Sequence, residues 1–412
     1  MLNTVALLIP VFLLIVVLEW YVSYKKENNR YSSANTIMNL TIGAIDQVSS
    51  LLYLVMLYFV MEFVYAHFRL FEMQNNWLQW VLAYIAVDFI SYWYHRWSHR
   101  INILWAGHVT HHSSELFNFS NGFRTSLFQG INRIIFWAVL PVFGFSPWVL
   151  VITLKVSGIY DFLLHTEYIP KLGFLEKIFI TPSAHRVHHG KNELYIDKNY
   201  GSTFVIWDKM FGTYQEETEK VEYGIKSNYI DNNPLAAIGH HYQYLWNAMI
   251  SAKKWTDKVK VWIMPPEWKP ENVYIKQTTV AETVFPVSNQ LRQYAYFQIC
   301  VSAAGLITML VYKEFLTVWE LMLFSGIGII SMMNAARICK ENIKQGFVRR
   351  EFYRLSCAVL CSFVLLSIHP RYYIWPLILF FLVSMILISR NSVTELVAQN
   401  ESSSGQRDRF SA

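Results

Sequence analysis

The chain has 412 residues, of which 54% are hydrophobic, 17% aromatic and only 16% charged, and its formal net charge is +6. The charged fraction lies well below the ~25% of an average soluble domain, which argues against a soluble globular protein and favours a membrane protein. The basic residues are scattered over predicted loops without a recognition module, so the sequence gives no support for a nucleic acid partner.

Nine apolar segments are candidate membrane spans, since a ~30 Å hydrocarbon core needs about 20 helical residues. The fourth and fifth, together 131–164, are separated only by a turn at 144–147, and the fourth is short. We interpret this pair as a helical hairpin that either crosses the membrane or re-enters it. The predicted fold is therefore an all-α, polytopic membrane bundle of about nine spans. The segments lie near 4–21, 40–64, 77–94, 131–145, 147–164, 295–312, 316–336, 352–368 and 372–389.

The same pattern predicts five regions along the chain. Residues 1–84 form N-terminal membrane spans, and residues 85–215 form a histidine-rich domain. Residues 216–290 are predicted to be a cytosolic extension, and residues 291–390 form the C-terminal spans. The polar tail, 391–412, is predicted to be disordered because it has too few apolar residues to fold.

Lysine and arginine residues predict which side of the membrane each loop faces. The loop after the first span carries Lys25, Lys26 and Arg30, whereas the loop 65–76 carries a single basic residue. Because cytoplasmic loops hold an excess of Lys and Arg, the N-terminus is predicted to lie outside and residues 166–290 in the cytoplasm. We expect a multi-pass protein of a bacterial inner membrane or of the endoplasmic reticulum.

Eight of the thirteen histidines lie in three short boxes, HRWSH, HVTHH and HRVHH. Spacings of i, i+3 and i+4 gather the rings of a box on one helical stripe, and neutral imidazole is the commonest protein metal ligand. A zinc ion takes only three or four protein ligands, so eight rings exceed one site and two metal ions are predicted. The eight are His95, His99, His108, His111, His112, His185, His188 and His189.

The order of these boxes around a membrane hairpin resembles that of the fatty acid hydroxylase and sterol desaturase superfamily of integral-membrane di-iron enzymes. DFISYWYHRWSH, LWAGHVTHHSSE, HTE, TPSAHRVHHGKN and YIDKNYGSTFVIWDKMFGTY are most similar to its alkylglycerol monooxygenase branch, whose members cleave glyceryl ethers. The resemblance implies two iron ions held by the eight box histidines. It also implies a ninth ligand, His165, at the end of the hairpin.

That resemblance implies a non-haem di-iron monooxygenase that oxidises a C–H bond of a membrane lipid with O2, and the reaction expected from the alkylglycerol branch is cleavage of an ether lipid. Hydroxylation or desaturation of a sterol or fatty acid would use the same metal core, so the histidines do not choose among these reactions. A metal transporter is a remote alternative, because its ligands would lie near the bilayer midplane. A two-metal zinc hydrolase also stays open, although the sequence has no HExxH motif.

The electron donor depends on Arg100. Members of the alkylglycerol branch use tetrahydrobiopterin and carry Glu directly after the second histidine of the first box, where this chain has Arg100. A guanidinium has only donors, so it replaces a carboxylate that would accept hydrogen bonds from a pterin ring. We therefore expect weak or no dependence on tetrahydrobiopterin, with another reductant supplying the electrons.

Five carboxylates near the boxes are candidate hydrogen-bond partners of the ligand imidazoles, since metal-bound histidines commonly donate their second N–H to such groups. Solvation at a helix end or in a loop is the alternative. A turn at 199–201 is expected to bring the chain back over the site, and His240 with His241 is interpreted as a surface pair. The five carboxylates are Asp88, Glu115, Asp161, Glu167 and Asp197.

Overall fold

In the computed structural model of the protein, the described residues form helices joined by loops, with two isolated β-bridges. The prediction of an all-α fold is confirmed. The described residues are 2–226, 233–270, 287–340, 346–368 and 374–389.

Two compact units make up the chain. The larger unit is Leu7–Thr279, and the smaller comprises Met1–Ala6 with Val280–Ala412. All the box histidines belong to the larger unit.

Three long helices open the chain: α1 (Leu2–Lys25), α2 (Ser33–Phe68) and α3 (Trp77–Arg100). The 36 residues of α2 rise about 54 Å at 1.5 Å per residue, so α2 is longer than a ~30 Å hydrocarbon core. Its first turns carry buried amides: Asn39 donates to the Ser120 hydroxyl at 2.9 Å and to the Asn121 side chain at 3.0 Å. The first part of α2 thereby anchors the loop that follows the second histidine box.

The predicted hairpin consists of α5 (Leu127–Trp137), a 3-10 turn and α6 (Pro147–Leu163), and it follows α4 (Asn102–His112). Gly144 closes the turn with a φ of 78°, and a Cβ there would lie 2.5 Å from the Phe71 carbonyl oxygen. The 11 residues of α5 rise only about 17 Å. As a helix, the first leg is too short to cross the hydrocarbon core, which favours the re-entrant interpretation.

Four shorter helices complete the larger unit: α7 (Pro182–His188), α8 (Ile206–Met210), α9 (Pro234–Ser251) and α10 (Trp255–Ile263). The predicted extension is not separate from the histidine-rich region. The backbone N–H of Asn102 donates to the Met264 carbonyl at 3.1 Å, and the Thr110 hydroxyl donates to the Ala237 carbonyl at 3.0 Å. Residues 233–270 therefore brace α4, the helix of the second box.

The smaller unit contains α11 (Asn289–Val311), α12 (Val318–Cys339), α13 (Phe347–Ile368) and α14 (Ile374–Ser389). Among the described helices, α1, α2, α11 and α12 are long and apolar enough to cross a membrane. Helices occupy all nine predicted positions, but the number of crossings stays a prediction. The predicted disordered tail, 391–412, lies outside the described residues.

Candidate metal centre

The nine predicted histidines converge into two clusters. The first cluster is His95, His99, His108, His112 and His188, and the second cluster is His111, His165, His185 and His189. Within each cluster the candidate ligand atoms all lie within 4.8 Å of one another. The side chains come from α3, α4, the end of α6 and α7, so four chain segments meet at one place.

The second and third boxes are each divided between the two clusters. His108 and His112 face the first cluster, whereas His111 faces the second; likewise His188 faces the first and its neighbour His189 the second. The rings of each of these boxes lie next to one another, with centroids 4.7 to 5.6 Å apart, but they face two centres. Residues at i and i+3 diverge by about 60° around a helix of 3.6 residues per turn, which is enough to turn two rings of one box toward different centres.

Hydrogen bonds at Nδ1 fix the orientation of several rings. The Nδ1 atoms of His95, His111, His165 and His188 lie 2.9, 3.2, 2.8 and 3.0 Å from backbone carbonyl oxygens. A carbonyl only accepts, so each Nδ1 carries the proton and each Nε2 of the neutral ring presents a lone pair. The carbonyls belong to Tyr200, Arg124, Asp161 and Lys198.

The Nε2 atoms then meet without protons between them. In the first cluster, His95 Nε2 lies 3.0 Å from His108 Nε2, and the other side of the His108 ring faces the Gln129 oxygen at 3.4 Å. In the second cluster, His165 Nε2 lies 3.3 Å from His111 Nε2. Two lone pairs at such distances repel, and a cation between the rings would relieve that repulsion.

The spacing fits a metal ion. Ligands at about 2.1 Å from an ion are about 3.0 Å apart at right angles and about 3.4 Å apart in a tetrahedron, and the Nε2 atoms of neighbouring rings lie 3.0 to 3.3 Å apart. His99 adds a buried Nε2 atom that has no hydrogen-bond partner. The donor sets thus suit one ion in each cluster.

Burial keeps the rings neutral, as metal binding requires. It lowers the pKa of His165 to about 4 and holds the pKa of His108 and His185 well below the usual range, with further lowering from neighbouring histidines. Neutral imidazoles leave the Nε2 lone pairs available near pH 7.

Asp88 does not contact an imidazole, so that prediction was wrong. Its carboxylate accepts from the backbone N–H groups of Thr203 and Phe204 at 2.7 and 3.2 Å and from the Trp207 indole at 2.8 Å. Asp88 lies seven residues before His95, about 10 Å along the helix, which is too far to reach that ring. It fastens the segment after the third box to α3 instead.

Asp161 and Glu167 also bond elsewhere. The Asp161 carboxylate accepts from the Ser202 hydroxyl at 2.6 Å, and only its backbone carbonyl meets His165. Glu167 pairs with Arg30 at 3.3 Å and accepts from the Tyr223 hydroxyl at 3.2 Å. The predicted carboxylate–imidazole bonds are wrong for both residues because neighbouring loops occupy their oxygens.

Glu115 is exposed, which matches the alternative of a solvated loop charge. Asp197 differs from the other four carboxylates, since one oxygen lies 3.7 Å from His99 Nδ1 and the other 2.7 Å from Arg100. Burial alone would raise the Asp197 pKa, but the contacts with His99 and Arg100 lower it to about 2. Arg100 also pairs with Glu267 at 3.0 Å.

Segment 199–201 lies over the site as expected, because the Tyr200 carbonyl accepts from His95. The turn itself lies earlier, at 193–197, although Asn199 has a φ of 53°. His241 is not a surface residue as interpreted: it is partly buried and lies 3.0 Å from the Asn102 side-chain oxygen. It belongs to neither cluster.

Arg124 and Gln129 take part in the site but were missed from the sequence. The fully buried Arg124 donates to the Thr110 carbonyl at 2.7 Å and to the Ser113 hydroxyl at 2.8 Å, so it holds the end of the helix that carries the second box. A basic residue between the second box and an apolar hairpin was the only sequence signal for it. The carbonyl contacts had none, because every residue has a carbonyl.

Comparison with known proteins agrees with this geometry. Residues 80–213 match the family model for fatty acid hydroxylase. The alkylglycerol monooxygenase of Homo sapiens is 37% identical over 266 residues, which cover 63% of this chain and 59% of that enzyme. That of Xenopus tropicalis is 34% identical over 262 residues, covering 63% and 58%.

A third relative, the ornithine lipid hydroxylase of Rhizobium tropici, is 34% identical over 145 residues, covering 33% of this chain and 41% of that protein. No solved structure matches the chain. The matches to the human and frog enzymes cover about three fifths of those enzymes. The resemblance seen in the boxes is confirmed: residues 80–213 match the fatty acid hydroxylase family, within a chain that is similar to alkylglycerol monooxygenases.

Proposed function

We propose that the protein is an O2-dependent monooxygenase of membrane lipids, with one iron ion in each histidine cluster. The observation that carries the proposal is the convergence of nine imidazoles in two groups, six of them buried and three partly buried, several with the proton held away at Nδ1. Imidazole sites accept iron, zinc and copper alike, and the similarity to lipid monooxygenases and hydroxylases favours iron. Iron bound there would supply O2 activation.

The chain itself supplies a dry, rigid setting for that chemistry. Backbone carbonyls orient the rings, and the Phe117 ring packs against His165 and His189 with centroids 5.5 and 5.1 Å away. On the first cluster, Trp105 covers His99 at 5.0 Å. These aromatic residues exclude water beside the rings and leave an apolar environment suited to a lipid chain.

We propose a long-chain glyceryl ether as the substrate, because four relatives of this protein, 31–37% identical to it, are named alkylglycerol monooxygenases. One oxygen atom of O2 would enter the C–H bond next to the ether oxygen, and the other would leave as water with two electrons and two protons from a reductant. The hydroxylated carbon then loses the glycerol alcohol and becomes a fatty aldehyde. This collapse needs no further oxidant.

The test is anaerobic purification, metal analysis, and incubation with O2, a reductant and a panel of labelled lipids. We expect two iron ions per chain and O2-dependent aldehyde from labelled alkylglycerol. A hydroxylated or desaturated acyl chain or sterol without aldehyde would move the protein to another reaction of the superfamily. Active protein with one metal ion or none would contradict the two-site proposal.

We also propose that residues 166–290 face the cytoplasm and the N-terminus lies outside, following the Lys and Arg distribution. Single cysteines at positions 27 and 230, introduced into a chain whose native cysteines are replaced, provide the test. Both are expected to react with a membrane-impermeant maleimide from the same, cytoplasmic side. Labelling from opposite sides would contradict the proposed topology.

A further inference from the structure

Helix α5 of the hairpin has its polar side turned inward and its apolar side turned outward. The exposed side carries Phe128, Ile131 and Ile135, and Ile135 is 79% exposed. Gln129 and Trp137, at positions i and i+8, are buried, and Arg133 lies between them at i+4. Polar groups within a membrane segment face the protein interior or a wet cavity and mark substrate pathways, so this inner stripe is a candidate binding surface.

Two donors on the inner stripe have no acceptor. Trp137 is only 3% exposed, and its indole N–H is buried without a hydrogen-bond partner. The Nε–H of Arg133 is likewise buried and unpaired. An unpaired buried donor costs about 1 to 3 kcal/mol. Arg133 stacks over the rings of Tyr94 and Trp137, at 5.5 and 5.7 Å, which holds the two donors side by side.

Charged side chains lie around the stripe. Arg133 interacts electrostatically with Asp46 and Asp161, and Lys155 interacts with Asp46. Among the described residues, no carboxylate comes within the 4.0 Å of an ion pair with Arg133. The unpaired N–H donors of Arg133 and Trp137 are therefore available to a ligand, which must offer oxygen acceptors.

The stripe leads directly to the first cluster. The Gln129 oxygen lies 3.4 Å from His108 Nδ1. Arg133 and Trp137 follow at about 6 and 12 Å along the helix axis. A polar group held by these two residues would therefore lie about 6 to 12 Å along the helix axis from the Gln129 contact with the first cluster.

We propose that Arg133 and Trp137 bind the oxygen-bearing head group of the lipid substrate, whose hydroxyl, ether or phosphate oxygens accept from their N–H groups. The inference rests on the proposed lipid substrate. It adds the part of the lipid that is recognised and the residues that recognise it. Binding there fixes the position of the bond adjacent to the head group relative to the first cluster.

The test measures lipid binding by the full-length iron-loaded protein in nanodiscs, kept anaerobic and without reductant so that no turnover occurs. The probes are 1-O-hexadecylglycerol, its 3-phosphate, and hexadecane, compared by native mass spectrometry. Wild-type protein is expected to bind at least one oxygenated lipid more tightly than hexadecane by about tenfold or more. Tighter binding of 1-O-hexadecylglycerol or of its 3-phosphate identifies whether hydroxyl or phosphate oxygens accept the hydrogen bonds.

Trp137→Phe removes the N–H and keeps an aromatic ring. We expect about tenfold weaker binding of the oxygenated lipid and unchanged binding of hexadecane. Arg133→Met should have a larger effect than Arg133→Lys. The matched control is Trp80→Phe, since Trp80 packs against the same apolar cluster as Trp137; it should leave the lipid preference unchanged.

A structural role for the indole predicts a different pattern. If Trp137→Phe lowers the melting temperature of the lipid-free protein more than Trp80→Phe does and leaves lipid preference intact, the inference is overturned. Equal binding of all three lipids by the wild type also overturns it. Head-group binding that depends on Arg133 and Trp137, in a protein that oxidises no lipid, would support this inference while the proposed function fails.

Discussion

The two histidine clusters differ in what surrounds them. The first cluster has five rings, and one of them, His99, faces the Asp197–Arg100 pair, whose Arg100 side chain is 42% exposed. The second cluster has four rings, and no described carboxylate bonds to any of them; its identified Nδ1 partners are the carbonyls of Arg124 and Asp161. A charged pair near the surface can thus influence the ring of His99 in the first cluster. In the second cluster, backbone carbonyls and packing fix the orientation of the rings.

The largest expected effect comes from removing one ligand of either cluster. His112→Ala should deplete the metal ion of the first cluster and His185→Ala that of the second, and each should reduce turnover by more than the 10- to 100-fold typical of groups that only orient a ligand. Metal content per chain, with turnover, is the measurement. Loss of both ions from either variant would show that the clusters do not bind independently.

Arg124→Met should weaken metal binding by both clusters together, whereas each single-ligand variant should affect one cluster. The guanidinium holds the end of α4 through Thr110, Ser113 and Asn39, and α4 supplies ligands to both clusters. Its loss leaves buried acceptors unpaired, so we expect the free energy of unfolding to fall by about 3 kcal/mol. Thermal unfolding and metal content test this, with Arg124→Lys as the milder control. Depletion of one ion alone would contradict the shared role.

Asp197→Asn should act on the first cluster alone. The carboxylate that faces His99 is lost while the side-chain shape is kept, so we expect metal affinity or turnover to fall by about 10- to 100-fold. Asp88→Asn is the matched control, because Asp88 fastens a loop to α3 without touching an imidazole. Competition with a chelator measures the metal affinity of each of the two sites. Equal weakening of both ions by Asp197→Asn would remove the distinction between the clusters.

The smallest effect is expected from Arg100. Its pairs with Asp197 and Glu267 are partly exposed, and such pairs contribute about 0 to 1 kcal/mol, so Arg100→Gln should change turnover only a few-fold. Wild-type turnover should depend weakly or not at all on added tetrahydrobiopterin. The rates with and without the pterin, in wild type and Arg100→Glu, decide this. Strong dependence in the wild type would show that Arg100 does not exclude that cofactor.

The sequence by itself determined the helical class, the positions of the apolar helices and eight of the nine clustered histidines, whereas the ninth, His165, followed only from the family resemblance. Local information suffices for these features. Hydrophobic runs form helices wherever they lie, and three histidine boxes in an apolar chain have few uses other than metal binding. The return of segment 199–201 to the site was also predicted, although the turn that brings it there lies at 193–197.

Only the tertiary structure decided how the histidines divide between the clusters and which groups orient them. The division depends on where the other ligand-bearing segments meet each helix: His111 and His112, adjacent in sequence, face different centres. Four of the five carboxylates expected near the rings are exposed or bonded elsewhere, and carbonyls of Tyr200, Arg124, Asp161 and Lys198 serve instead. A carbonyl has no signature in the sequence, since its role depends only on where the folded backbone places it.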